Sequence, residues 1–246
     1  MIRFILSLLI AAVYLITTLP VLFFLWLIGK ARPSVRDRAA RAMIRWIFRV
    51  LIAAAGVKVT VIGEDRVPLD TAVLYTGNHR SIYDILITYV RCPRICGYVA
   101  KKELGGIPLF SLWARYINCL FFDRENLKEG MKMILEGIEM LKEGKSVFIF
   151  PEGTRNKSDS DLPLLPFHEG SFRMALKSKC PIVPVAICNS ISVWEGHFPK
   201  IRAAHVILEY GEPIYTESLD PGVRKKIGAY VQEKTEEMIA KNQKLL

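Results

Sequence analysis

The sequence has few of the residues from which metal sites and disulfide frameworks are built. It contains four histidines and five cysteines in 246 residues. Because the cysteine count is odd and no C-x2-C pair occurs, we expect neither a disulfide-stapled fold nor a zinc site, and no other metal site is predicted. We interpret the cysteines as reduced, mostly buried thiols of a protein that faces a cytosolic compartment.

The signatures of several enzyme classes are also missing. No G-x-S-x-G elbow is present, which argues against a serine hydrolase. The sequence has neither a Walker loop nor a G-x-G-x-x-G fingerprint, which removes the main arguments for nucleotide binding. His168, His197 and His205 show no metal-ligand spacing, and residues 194–197 (WEGH) are interpreted as a turn without an assigned role.

Charge is missing from the longest apolar run. Residues 4–29 carry none, whereas residues 30–49 hold seven basic side chains and one acidic one, within a formal net charge of +10. At about 1.5 Å per residue, the run is longer than the roughly 30 Å hydrocarbon core of a bilayer requires. A cleaved secretory signal has a shorter apolar region and a small-residue cleavage site, so we expect this segment to be retained. The pattern predicts a membrane element whose basic flank faces an anionic lipid surface, and it disfavours nucleic acid as a partner.

Two arrangements of this membrane element remain open. Pro20 lacks a backbone donor and is expected to kink or break the apolar helix. A second, amphipathic helix is predicted over residues 38–52, with one stripe of arginines and one of apolar side chains. The element is therefore either one spanning helix or a helical pair inserted into one leaflet. Both arrangements place the rest of the chain at the cytoplasmic face of the cell membrane.

After residue 56, short β-rich runs alternate with helical ones. Strands are predicted at residues 57–61, 72–75, 95–100, 119–122, 146–150, 182–187 and 205–210, and helices at residues 82–90, 108–116, 126–143, 171–177 and 221–241. Such alternation is typical of an α/β domain with a mixed, largely parallel sheet flanked by helices. We therefore divide the chain into N-terminal membrane helices over residues 1–56 and an α/β domain over residues 57–246. Ligands of such sheets bind at the carboxyl ends of strands, and the polar, then proline-rich residues 156–167 are expected to cover a site or to be disordered.

A histidine and an aspartate follow the second predicted strand. His79 and Asp84 lie in the stretch NHRSIYD, at residues 78–84. Ser81 and Asp84 have the spacing of a capping box at a helix start, and His79 can be a loop histidine bonded to backbone. Alternatively, the imidazole takes a proton from an alcohol that attacks a carbonyl, while the carboxylate holds the other ring N–H. The residues alone leave both interpretations open.

Two arginines follow two further strands. Arg124 comes directly after the strand predicted at residues 119–122, and Arg155 comes after the one at residues 146–150. A guanidinium makes bidentate, charge-assisted hydrogen bonds to phosphate, and Gly153 lets the backbone approach a ligand closely. Each arginine alone is commonly a surface ion pair, but three motifs at strand ends together indicate a site for a phosphate-bearing alcohol.

Four segments of the sequence form a set: His79-x4-Asp84, Phe121-Phe122-Asp123-Arg124, residues 150–155 (FPEGTR) and residues 183–187 (VPVAI). In this order they resemble the four sequence blocks of the glycerolipid acyltransferase family, and within it the bacterial 1-acylglycerol-3-phosphate acyltransferases. The sequence departs from the family pattern at Asn118, where a glycine is usual, and at His168-Glu169, where a basic residue is common. Neither departure touches the proposed proton-transfer pair.

The resemblance implies an enzyme that transfers a fatty acyl group from an acyl thioester to lysophosphatidic acid, giving phosphatidic acid. His79 is then the general base on the free sn-2 hydroxyl, and Asp84 orients it. The substrate-binding residues that it implies are Lys101, Arg124, Glu152, Gly153, Thr154 and Arg155. The donor is acyl-CoA or acyl-acyl carrier protein, and no cofactor is implied because the acceptor attacks the thioester directly.

Three alternatives remain beside this hypothesis. The acceptor can be another lysolipid or glycerol 3-phosphate. A lipid or thioester hydrolase would use the same pair to activate water and would release free fatty acid. A non-catalytic lipid-binding protein would bind vesicles without any need of His79 and Asp84.

Overall fold

The structure, a computed structural model, describes residues 1–123 and 126–246. In this part of the chain the strands are β1 (Lys58–Ile62), β2 (Leu74–Gly77), β3 (Cys96–Lys101), β4 (Leu120–Phe122), β5 (Ser146–Ile149), β6 (Ile182–Cys188) and β7 (His205–Tyr210). The α-helices are α1 (Ile2–Thr17), α2 (Leu19–Ala31), α3 (Pro33–Ala55), α4 (Ile82–Arg91), α5 (Phe110–Tyr116), α6 (Leu127–Lys142), α7 (Arg173–Ser178), α8 (Pro221–Lys225) and α9 (Ile227–Asn242).

The strands form one sheet in the order β1-β7-β6-β2-β5-β3-β4. The five strands from β6 to β4 are parallel to one another, whereas β7 is antiparallel to β6, and β1 is parallel to β7. Every residue of β2, β5 and β6 is buried, as expected for parallel strands covered on both faces. The prediction of a mixed, largely parallel sheet is confirmed.

Helices cover both faces of this sheet. On one face, α3, α4 and α5 pack against side chains that include Tyr75. On the other face, α6, α7 and α9 pack against side chains that include Leu74. Because successive side chains of a strand point to opposite faces, these two neighbours of β2 belong to different halves of the core.

The apolar run at the amino end forms two helices, α1 and α2. The break falls at Thr18, and Pro20 lies in the first turn of α2, where its missing N–H costs least. Among the described residues, no single helix has both the length and the apolar composition to cross a membrane, but α1 and α2, bent by 51°, meet that test as a pair. Many of their large apolar side chains are exposed, among them Ile2 at 84%, Phe24 at 60% and Trp26 at 48%.

The amphipathic helix α3 is longer than its predicted range, residues 38–52, and it begins at Pro33 and ends at Ala55. Its apolar stripe, including Ile44 and Ile47, packs into the core beside α4 and α5. Arg41 and Arg45 donate to backbone carbonyls at the end of α4, while Arg38 stays exposed. The apolar stripe of α3 thus contacts the protein, because a 3.6-residue apolar period serves docking onto a sheet as well as contact with lipid. Whether α3 belongs to a membrane element stays a prediction.

Candidate active site

The motifs at residues 78–84 and 150–155 lie side by side, because they follow two neighbouring central strands. β2 and β5 are parallel neighbours with Thr76 opposite Ile149, so both strands end at the same edge of the sheet. Beyond β2 the chain continues into Asn78, and beyond β5 into Phe150. Side chains from distant parts of the sequence therefore meet at the carboxyl edge of the parallel strands, where ligands of such sheets bind.

The side chain of Asn78 links the end of β2 by hydrogen bonds to β6, which lies on the side of β2 opposite to β5. Its side-chain amide donates to the Ile187 carbonyl at 2.8 Å, and its side-chain oxygen accepts from the Ile187 N–H at 2.8 Å. The residue is fully buried. This paired contact sets the backbone position from which His79 projects.

The His79 imidazole bonds to the Asp84 carboxylate, with Nδ1 2.9 Å from Oδ2. A carboxylate only accepts, so Nδ1 carries the proton and Nε2 of the neutral ring carries the lone pair. The side chain of Asp84 is fully buried and that of His79 is 12% exposed. The ring also stacks on Phe150, with centroids 4.1 Å apart. His79 is thus held in one tautomer and one orientation, with Nε2 as the ring nitrogen that does not bond to Asp84.

Asp84 has a second task at the start of α4. Its Oδ2 also accepts from the backbone N–H groups of Arg80 and Ser81, each at 2.7 Å. Ser81 in turn accepts from the Tyr83 N–H, which completes a capping box. One side chain therefore both caps the helix and bonds to the imidazole, and the catalytic role of the pair stays a prediction.

Glu152 is buried below His79 and binds backbone with both oxygens. Oε1 accepts from the His79 N–H at 2.7 Å, and Oε2 accepts from the Leu165 N–H at 3.0 Å. Burial raises the pKa of this carboxyl to about 7. Its described contacts hold the protein itself, and its part in binding substrate stays a prediction.

The residues after Glu152 turn outward. Gly153 has a φ of 70°, and a Cβ there would lie 3.1 Å from Nε2 of His168. The left-handed backbone conformation favours glycine at this position, and a Cβ would require the His168 side chain to shift slightly. Thr154 is exposed. Of the predicted substrate-binding residues in this turn, Thr154 thus lies at the surface, Gly153 is partly buried and Glu152 is buried.

Arg155 bonds to a carboxylate that sequence reasoning missed. Its Nη1 donates to Glu195 Oε1 at 2.8 Å, and 44% of the arginine side chain remains exposed. Glu195 also accepts from the Ser81 hydroxyl at 2.5 Å and from the Ile82 N–H at 2.8 Å. The sequence predicts only a turn for this segment, because nothing in the local sequence points to partners that lie 40 residues upstream, for Arg155, and more than a hundred residues upstream, for Ser81 and Ile82.

The other two predicted phosphate ligands have different outcomes. Lys101 is the last residue of β3, at the same edge of the sheet, and its ammonium pairs with Glu103 at 2.9 Å. No described contact joins it to His79 or Arg155. Arg124 lies outside the described residues.

The segment at residues 156–167 is bound to the site at several points. The Asn156 N–H donates to the His79 carbonyl at 2.7 Å, and the buried Arg80 guanidinium pairs with Asp161. The side chains of Leu164 and Phe167 are buried in the core. Of the two expectations for this segment, the structure favours a cover that packs beside the His79 motif.

The described geometry supports proton transfer beside an anion site. An imidazole with a carboxylate behind it accepts a proton from a hydroxyl, and a half-exposed guanidinium nearby binds an anion. Within the described ranges, no three His, Cys, Asp or Glu side chains are grouped as metal ligands would be.

Comparison with known protein families gives one match that covers more than half of the chain. The family model described as Acyltransferase matches residues 58–188. This range includes the His79 motif, the motif at residues 150–155 and all of β6.

The sequence is also similar to curated proteins from yeast and bacteria. It is 30% identical to the 1-acyl-sn-glycerol-3-phosphate acyltransferase of Saccharomyces cerevisiae over 79% of this chain. It is 32% identical to the Haemophilus influenzae protein of the same name, over 80% of each chain. The chain spans only 60–63% of the length of several of the relatives it matches, the yeast protein among them.

A solved structure has the same fold. The crystal structure described as the 1-acyl-sn-glycerophosphate (LPA) acyltransferase PlsC from Thermotoga maritima superposes with a TM-score of 0.81. The match covers 98% of this chain and 95% of that one, at 23% identity. At this identity the likeness shows the fold.

Proposed function

The chain belongs to the acyltransferase family, and from that premise we propose that it transfers a fatty acyl group from an acyl thioester to the free sn-2 hydroxyl of lysophosphatidic acid. The product is phosphatidic acid. The observation that carries the proposal is the bond between His79 and Asp84, 2.9 Å long, at the carboxyl edge of the parallel strands. The names of the relatives support the choice of acceptor.

In the proposed reaction, His79 acts as the general base. Its Nε2 takes the proton of the sn-2 hydroxyl while the hydroxyl oxygen attacks the thioester carbonyl. A C–O bond forms, the C–S bond breaks, and the imidazolium returns the proton so that the carrier leaves as a thiol. Asp84 stabilises the imidazolium and keeps Nε2 directed at the acceptor.

We assign the phosphate of the acceptor to the basic residues at the same edge. Arg155 supplies a guanidinium, and Lys101 adds positive charge from the end of β3. Arg124, which follows β4 in the sequence, is assigned to the phosphate by the resemblance to the family alone. The turn of Glu152, Gly153 and Thr154 shapes the space between phosphate and base. The donor is a thioester of coenzyme A or of acyl carrier protein, and the mechanism requires no cofactor.

We further propose that α1 and α2 hold the enzyme on the cytoplasmic face of the cell membrane. Their exposed apolar side chains support this location, because a row of such residues is unfavourable in water. The basic residues that follow them favour an anionic lipid surface. One spanning pair and a pair inserted in one leaflet both agree with the bend between the helices.

The first test is turnover by the reconstituted wild type beside His79→Ala. Positioned acid–base catalysis contributes roughly 100- to 10,000-fold, so we expect phosphatidic acid from the wild type and a loss of that order in the variant. Products of lysophosphatidic acid and a long-chain acyl thioester are measured by mass spectrometry. His205→Ala is the control, because it removes an imidazole two strands away, on β7, that bonds to Thr60.

Each other product has a definite meaning. Free fatty acid in place of phosphatidic acid would assign the protein to the hydrolases. Product only with glycerol 3-phosphate or another lysolipid would change the acceptor. Vesicle binding without any turnover would favour a non-catalytic lipid-binding protein, and near-normal turnover by His79→Ala would end the general-base assignment.

A further inference from the structure

Glu195 joins two parts of the site that belong to different motifs. Its carboxylate accepts from Ser81 and Ile82, at the start of α4, at 2.5 and 2.8 Å. The same carboxylate accepts from Arg155, which follows β5, at 2.8 Å. Asp84 lies in the first turn of α4 and holds His79. One side chain therefore connects the arginine assigned to the phosphate with the segment that orients the base.

The hydrogen bond to Glu195 orients Arg155 and leaves most of its N–H donors available for a ligand. A guanidinium has five N–H donors in a fixed fork, and Glu195 accepts from Nη1 alone. Much of the arginine remains accessible, so the rest of the fork is open to a ligand. An unrestrained arginine loses side-chain rotamer entropy on binding a ligand, and an arginine that is already fixed loses less at that step.

The carboxylate is held in place independently of Arg155. Two of its three donors belong to the start of α4, where the partial positive charge of a helix favours an anion. The neighbouring Trp194 stacks on Phe4, with ring centroids 5.9 Å apart, and contacts Phe198 at 5.5 Å. The position of Glu195 is thus determined by the protein, so an arriving phosphate meets an arginine that is already oriented.

We propose that Glu195 is a positioning residue, which holds the guanidinium of Arg155 against the start of α4 and so sets the distance between the acceptor's phosphate and His79. The inference rests on the proposed function, since it names a residue that acts through the phosphate site of that reaction. The opposite possibility is a competitor, in which the carboxylate occupies Arg155 until the phosphate displaces it.

Acceptor kinetics distinguish these roles. We expect Glu195→Ala to raise the KM for lysophosphatidic acid about tenfold, as for the loss of one charge-assisted hydrogen bond, with kcat changed less than about threefold. Glu195→Gln keeps an oxygen that can accept from Ile82 and Arg155, so its KM should stay within about threefold of wild type. In an Arg155→Ala background, Glu195→Ala should raise the KM by less than a further factor of about two, because the effects of residues that act through one another are not additive.

A matched control is Glu143→Ala. Glu143 is exposed and pairs with Lys145 at 2.9 Å, just before β5 and so at the opposite edge of the sheet. A lower KM in the Glu195 variants would overturn the inference in favour of a competitor. If the Glu195 variants have an unchanged KM and only a lower melting temperature, Glu195 is a helix cap and not a positioning residue. If Glu195→Ala raises the KM equally in the wild-type and Arg155→Ala backgrounds, Glu195 acts by a route other than Arg155.

Direct binding separates this inference from the proposed function. Calorimetric titration of a short-chain lysophosphatidic acid, below its micelle concentration, is made on the same variants in a His79→Ala background. Suppose that Glu195→Ala raises the Kd and Glu195→Gln does not, as predicted for KM, but that the wild type shows no turnover. This result would overturn the acyl transfer and support the role of Glu195. If the wild type turns over but the Kd does not depend on Glu195, the acyl transfer is supported and the role of Glu195 is overturned. If no variant binds lysophosphatidic acid, both the acyl transfer and the role of Glu195 are overturned.

Discussion

Glu152 is a carboxyl group in an unusual setting, because it is buried and yet binds two backbone N–H groups. Desolvation disfavours its charged form and is the largest cause of its raised pKa, with the two hydrogen bonds acting in the opposite direction. The pKa rises from an ordinary value of 4.5 to about 7. The folded protein therefore keeps a proton that the unfolded chain has already released between these two pH values.

We expect Glu152→Gln to change how stability depends on pH. In the wild type, the folded state binds more protons than the unfolded state above pH 4.5, so the contribution of Glu152 to the free energy of unfolding is lost as pH rises to about 7. A pKa shift of this size corresponds to a change of about 3 kcal/mol in the free energy of unfolding over this pH range. Denaturant titrations from pH 4 to 8 should show this slope in the difference between wild type and Glu152→Gln.

Glu143→Gln, at an exposed ion pair, should follow the wild type at every pH. A constant difference between wild type and Glu152→Gln would contradict the assignment, since it would place the titration of Glu152 at the same pH in the folded and unfolded states.

The sequence predicted those site residues whose task depends on neighbours in the chain. His79 and Asp84 are five positions apart, and a helix start between them brings the two side chains together. Glu195 could not be recognised, because its partners are Arg155, Ser81 and Ile82, and only the pairing of β2 with β5 and β6 makes them neighbours. The catalytic role of His79 and Asp84 and substrate binding by the other predicted residues both stay predictions.

At the scale of elements, α4 is bound by other parts of the chain at both of its ends. Glu195 accepts from its first N–H, and at its other end Arg45 donates to the Val90 carbonyl at 2.7 Å. Arg41 donates to the Cys92 and Pro93 carbonyls at 2.7 and 2.9 Å. These contacts satisfy backbone groups that a helix leaves unpaired, and each has the charge that the corresponding helix end favours.

We expect Arg41→Ala and Arg45→Ala each to lower the free energy of unfolding by about 1.5–3 kcal/mol, the range for hydrogen bonds to a charged group. Arg38→Ala, on the same helix α3 but exposed, is the matched control and should change it by less than about 0.5 kcal/mol. Chemical denaturation in detergent measures all three. Equal losses at the three positions would indicate that general charge, and not the contact with α4, stabilises the fold.

The positions of the strands were predicted well, since buried parallel strands are short apolar runs that stand out from their flanks. β7 begins at His205 and ends at Tyr210 as predicted, and the other strands differ by one or two residues at their ends. The last helix, predicted over residues 221–241, is divided into α8 and α9 at Lys226. No proline or glycine marks that division, so the sequence held no signal for it.

At the scale of the molecule, the proposed membrane surface consists of the exposed apolar side chains of α1 and α2. Phe24→Asp replaces one of them by a charge, and we expect at least a tenfold loss of partition into anionic vesicles, because burying a phenylalanine side chain is worth about 1.5–3 kcal/mol. Vesicle flotation measures the bound fraction. Leu69→Asp, at another exposed apolar residue that lies outside α1 and α2, is the control, and equal losses for both variants would contradict the proposed surface.

Two strands run against the other five, and this reversal decides where the amino-terminal helices meet the sheet. β1 runs in the same direction as β7, so it begins at the edge where the parallel strands end. The chain leaves α3 at Gly56 and enters β1 at Lys58, and Phe4 of α1 reaches Trp194, next to Glu195. The helices proposed to lie in lipid are thus joined to the edge of the sheet that carries His79. An acceptor with its fatty chain in the bilayer would need to move only laterally to bring its hydroxyl to His79, and the product could diffuse away along the same leaflet without passing through water.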